Sequence, residues 1–93
     1  MKIEKTKNYK QFKEVKGNRE INNAHVHKLA EYLKISNFLP VNPIIVNEKM
    51  EVIDGQHRLQ AAKELGLPVY YIKVPGYGLS EVQVFNSNSH VWN

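Results

Sequence analysis

The sequence predicts an α+β domain, a small mixed sheet with about three helices. Three observations carry this. Val26, Leu29, Ala30 and Leu33 recur at i, i+3, i+4 and i+7, which is one apolar helix face. Ile44-Ile45-Val46, Val52-Ile53 and residues 69–74 (VYYIKV) are short β-branched and aromatic runs of strand type. Glycines and prolines fall between these segments rather than inside them.

Taken in chain order, residues 9–15 (YKQFKEV) place apolar side chains at 9, 12 and 15 among lysines, a spacing that fits either a strand or an irregular leader. Gly17-Asn18 breaks the chain. Asn22 or Asn23 supplies the short side chain that caps a first helix, which ends near Ile35 before Ser36-Asn37. Residues 38–43 (FLPVNP) read as a loop, because each proline pushes its predecessor toward extended backbone. The strands at 44–46 and 52–53 look like a hairpin, although the intervening Asn47-Glu48-Lys49-Met50 lacks the Asn-Gly pair of a tight turn. A second helix starts at Asp54 or Gly55, with Asp54 as an ordinary cap. It carries Leu59, Ala62 and Leu65 on one face and closes on Gly66. A strand over 69–74 and a loop over 75–78 follow. Ser80 with Gln83 forms a capping box for a third helix running through Phe85.

Ninety-three residues make one domain with one core. We divide it into a basic N-terminal arm with a candidate first strand (residues 1–17) and the domain proper (18–93). The apolar pair Val91-Trp92 at the end fits a piece of a longer protein. An apolar share of 42 % excludes a disordered tail. The absence of cysteine excludes disulfides, thiolate metal sites and cysteine nucleophiles. No apolar run reaches the roughly 18 residues of a membrane helix, and the Lys-rich start lacks a signal-peptide core, so a cytoplasmic location without membrane contact is expected. Residues 1–20 hold seven cations against three acids, while the rest of the chain holds six of each. The whole excess of +4 thus sits at the N-terminus, either as a footprint for a polyanion or as a solvated leader.

Chemistry concentrates in Asp54-Gly55-Gln56-His57-Arg58. A helix N-terminus carries unpaired N–H groups and about half a positive charge, and an anion satisfies both. Gly55 lets backbone come close, Arg58 offers a planar fork of donors to a phosphate, and His57 adds a donor whose charge changes near neutral pH. Alternatively, Arg58 simply pairs with Asp54. Asp54 and His57 are the catalytic candidates, with Glu31 or Glu81 as a base. His25 and His27 project about 200° apart on a helix and do not chelate together, so no histidine metal site is expected. His90 is remote in sequence. Tyr70 and Tyr71 alternate on a strand, with core packing the simpler use of both and base stacking the other.

Asn18-Arg19, a helix, Leu39-Pro40, Pro43-Ile44-Ile45-Val46 and then Val52 through Ala62 (VIDGQHRLQAA) resemble, in order and spacing over roughly residues 9–90, the N-terminal domain of the ParB/sulfiredoxin superfamily. The variants with Asp-Gly-Gln-His-Arg found in phage and mobile-element proteins are the nearest in pattern. The resemblance implies a ParB-like fold and a cleft in which Gly55, Gln56, His57 and Arg58 hold a nucleotide's phosphates, often through Mg²⁺. It implies that Arg19 reaches the same cleft, and that Asn86 and Asn88 contribute polar groups from the last helix. Asn18 and His25 are further candidates for the cleft wall. The sequence departs from CTP-hydrolysing ParB proteins in two ways. Gln60 stands where they carry a second arginine, and residues 85–89 (FNSNS) contain none. Gln56 occupies the position of the sulfiredoxin catalytic cysteine, so sulfinic-acid reduction is excluded. No helix-turn-helix module follows within these residues, so centromere-type DNA reading is not expected of them. The expectation is a DNA-associated, nucleotide- or DNA-phosphate-binding domain, with a homodimer or further domains of a longer chain as additional partners. The alternatives are an enzyme of the same fold (nuclease, small-molecule kinase or NTPase) and a structural interaction domain without ligand.

Overall fold

A computed structural model describes residues 1–18 and 20–91, the last five of these by backbone alone. Five strands form one mixed sheet: β1 (Ile3–Thr6), β2 (Lys13–Glu14), β3 (Ile44–Val46), β4 (Glu51–Asp54) and β5 (Val69–Lys73). Three helices complete the α+β domain: α1 (Asn23–Ile35), α2 (Gln56–Leu65) and α3 (Leu79–Val91). The strand order is β1-β5-β3-β4-β2. β5 runs antiparallel to β1 and parallel to β3, while β4 runs antiparallel to β3 and parallel to β2.

The alternation of side chains along a strand decides which helix covers which face. Ile44, Val46 and Val52 point to one side, where they pack with Val26, Ala30 and Leu33 of α1 and Ala61 and Ala62 of α2. Ile53 and the half-buried Ile45 point the other way, onto Val15, Val82, Tyr77 and Phe85 beneath α3. The sheet is therefore buried on both sides at its centre, which explains why β3 reads as an unbroken apolar run rather than an alternating one.

Several local expectations are corrected, and others are decided. The basic N-terminal segment supplies two strands rather than one candidate: β1 and β2 are the two outer strands of the sheet, and Tyr9–Gln11 between them form a single 3-10 turn. The Tyr9 hydroxyl donates to the Leu67 carbonyl at 2.6 Å, anchoring that turn. Asn22, not Asn23, caps α1, its side chain accepting from the His25 N–H at 3.1 Å. The buried residues of α2 are His57, Ala61 and Ala62, with Leu59 and Leu65 packed at the margin. Gly78 opens α3, and the Glu81 carboxylate accepts the Gly78 N–H at 2.7 Å. The box thus lies two residues before Ser80/Gln83, and the helix continues beyond Phe85. Tyr71 is core, where desolvation raises its phenol above the ordinary value of 10.0, and Tyr70 packs beside it.

Candidate functional site

The junction of β4 and α2 turns on one glycine. Gly55 adopts φ 105°, a left-handed conformation, and serves as the N-cap position of α2 with no side-chain cap. Asp54 is the last residue of β4 and not the cap, because the chain reverses only at Gly55. A Cβ at position 55 would collide with the Ile44 Cγ2 and lie 2.8 Å from an Arg58 Nη2. The glycine is thus required by the turn and by close approach to β3 and the guanidinium, rather than by room for a ligand.

Arg58 stands in the first turn of α2 and folds back over this glycine. Its Nη2 is 3.4 Å from the Pro43 carbonyl and 3.4 Å from Asp54 Oδ2. Both distances are long for charge-assisted bonds, which normally lie near 2.7–2.9 Å. The Arg58 side chain is 17 % exposed, and its Nε is buried without a hydrogen-bond partner. No acidic residue occupies the first turn of α2. A buried guanidinium, loosely paired and set against the positive end of a helix, leaves the corner electropositive.

Beside it lies a pocket of about 160 Å³. It brings together Asn18, His25, Asp54, Gly55, Gln56, His57, Arg58 and Asn86, gathered from the segment before α1, from α1, from the β4–α2 turn and from α3. Leu29, Phe38, Asn42 and Ile53 also line it and were not anticipated. Phe38 and Asn42 belong to the proline-bounded loop, which read as a mere connector. Its only sequence signal was the pair of prolines that fix its course. Arg19 and the side chain of Asn88 lie outside the described residues, as does the side chain of His90.

His57 lines the pocket and is also tied to the segment before α1. It is 8 % exposed, and its Nε2 accepts the backbone N–H of Asn22 at 3.0 Å. That nitrogen must carry a lone pair, so the proton of the neutral ring is on Nδ1. The His25 ring stacks on it with centroids 4.6 Å apart and planes 29° apart. His57 therefore ties the start of α2 to the cap of α1, and Nε2 is not a donor to an anion. The proposed bases are also engaged elsewhere. Glu31 forms an exposed pair with Lys34 at 2.9 Å, which lowers its pKa, and Glu81 caps α3. Neither lines the pocket.

Among the described residues, Asp54 is the one carboxylate on the pocket wall, with 34 % of its side chain exposed. Among the described residues, no group of three or more His, Cys, Asp or Glu could hold a metal ion by itself. A single carboxylate does fit Mg²⁺ arriving with phosphates, since that ion commonly takes one or two carboxylates and fills its remaining positions with water and phosphate oxygens. Among the described residues, no helix is long and apolar enough to cross a membrane. No protein-family model, curated protein or solved structure matches the chain.

Proposed function

We propose that this chain is a phosphate-binding, ParB-like domain of a DNA-associated phage or mobile-element protein. It grips a phosphate of a nucleotide or a nucleic acid where α2 begins. The observation that carries this reading is the state of Arg58: a mostly buried guanidinium with an unpartnered Nε and two long contacts, at a helix start that no carboxylate caps. Left as it stands, this arrangement is destabilising, and a bound anion reverses its sign. The amide side chains of Asn18, Gln56, Asn42 and Asn86 line the same pocket and suit the neutral oxygens around a phosphate. A volume of about 160 Å³ holds roughly five waters at ~30 Å³ each, enough for a phosphate group rather than for a whole nucleotide. When a triphosphate is bound, Asp54 would hold Mg²⁺, which neutralises part of its charge.

Binding is favoured over catalysis by the lock on His57. An imidazole whose Nε2 is committed to a backbone N–H is poorly placed to shuttle a proton from that nitrogen. The test is thermal denaturation with pyrophosphate, nucleoside triphosphates with and without Mg²⁺, and short DNA. A ligand at one hundred times its Kd stabilises by about 2.7 kcal/mol, which raises the Tm of a domain this size by about 10 °C or more. An unchanged Tm with every one of these ligands rejects the reading.

A further inference from the structure

A second pocket of about 230 Å³ lies between the N-terminal segment and α2. Asn18 and Gln56 line both pockets, and the Asn18 Nδ2 donates to the Gln56 Oε1 at 3.4 Å on their boundary. The two pockets therefore adjoin at this pair of amides. Their linings differ in kind. The first is the Arg58 corner. The second sets the apolar walls of Phe12 and Leu59 against a polar side that includes Lys13, Glu14, Gln60 and Lys63. Among the described residues none engages the half-buried Gln60 amide, which carries a donor and an acceptor side by side.

We propose that the second pocket receives the nucleobase of the ligand whose phosphate Arg58 holds, an inference that rests on the phosphate reading above. A cavity that combines apolar walls with convergent polar groups is the usual form of a small-molecule site, and this one has both. A flat heterocycle fits the requirements of this one. It is apolar on its faces, so it lies against Phe12 and Leu59, and it is polar at its edge, where an amide such as Gln60 pairs with adjacent donor and acceptor atoms. The shared Asn18–Gln56 pair then lies under the sugar, which links the two ends. A free phosphate or a phosphosugar has nothing to place there. The base comes either from a free nucleotide or from a nucleotide within a single strand; the chemistry at the pocket is the same.

The experiment compares ligands with and without a base on the intact chain. Nucleoside 5′-monophosphates are expected to bind at least about tenfold tighter than ribose 5-phosphate, the effect of burying one base. Gln60→Trp, which fills the pocket, brings that ratio to about one. Isotope-filtered NMR is expected to show base protons close to the Phe12 ring and the Leu59 methyls, a readout that needs no variant. Tetranucleotides without a terminal phosphate separate the sources: tighter binding than the monophosphates identifies a strand, and weaker binding a free nucleotide. Equal affinity for ribose 5-phosphate and the monophosphates overturns the base pocket while leaving the phosphate site standing. So do base contacts to Leu29 and Phe38, which put the base in the first pocket. No binding by any of these ligands, pyrophosphate included, overturns both.

Discussion

Arg58 is held at a cost to stability, and that cost makes its proposed role testable. Four terms act on it. A cation in the first turn of a helix is unfavourable by about 0.3–1 kcal/mol. A buried N–H with no acceptor costs about 1–3 kcal/mol. Against these stand a 3.4 Å pair with a partly exposed Asp54, worth at most about 1 kcal/mol, and an equally long, weak bond to the Pro43 carbonyl. The unfavourable terms win. Replacing Arg58 with Met keeps the side-chain volume, removes the orphan and leaves Asp54 alone near the positive end of α2, where a carboxylate is welcome. Arg58→Met is therefore expected to hold or raise the Tm of the ligand-free domain and to abolish the thermal shift with pyrophosphate or nucleotide. A residue kept for folding would give the reverse result, a lower Tm, and calorimetry of the two proteins decides between them.

At the scale of the element, the β3–β4 hairpin depends on one side chain that no motif announces. Asn47 is 2 % exposed and replaces the missing tight-turn signature with its own bonds. Its Oδ1 accepts the N–H groups of Lys49 and Glu51, each at 3.0 Å, and its Nδ2 donates to Glu51 Oε1 at 2.7 Å and the Tyr77 carbonyl at 2.9 Å. Asn47→Ala leaves several buried groups without partners and is expected to destabilise by about 2–4 kcal/mol, a loss of at least about 10 °C in Tm. The neighbouring Glu48 clasps the same loop from outside by accepting the Gly76 N–H at 2.8 Å, and that bond, with help from its own backbone N–H, lowers its pKa below 4.5. A carboxyl whose folded pKa is depressed stabilises above its unfolded pKa and loses that contribution as pH falls through the folded value. Glu48→Gln should thus melt below the wild type at pH 7, with the gap closing at pH values well under 4.5; a gap independent of pH would mean the charge is irrelevant. Helix α1, β3, β4 and β5 were legible in the sequence because apolar periodicity and β-branched runs encode them locally. The hub at Asn47 and the true box at Gly78/Glu81 were not, since each is chosen by distant or non-adjacent partners that a linear reading does not weigh.

For the whole molecule, the decisive fact is where the excess charge sits. The seven cations of residues 1–20 read as an arm, because lysines interrupt every apolar run there and no period survives. Pairing with β5 and β4 overrides that weak local preference and turns the segment into both edges of the sheet. Lysines on edge strands also have a plain structural use, discouraging pairing with other chains. The Cα radius of gyration of 12.6 Å matches the ~12 Å of a compact domain of this length. The candidate site was legible in part for a related reason: residues 54–58 are contiguous, while Phe38, Asn42 and Arg58's contact with Pro43 arise only when β3 lies beside the β4–α2 turn. Such geometry predicts how binding responds to salt. A protein that tracks DNA through six to ten phosphates loses about 10³–10⁵ in affinity between 50 and 200 mM salt. One guanidinium at one helix start neutralises about one phosphate, giving a slope of log affinity against log salt near −1. Titration of a nucleotide or a short single strand across that range is expected to show a loss of no more than about tenfold. A steep slope would move the interface from the Arg58 corner to the lysines of the outer strands, and Arg58→Met would then leave affinity nearly intact.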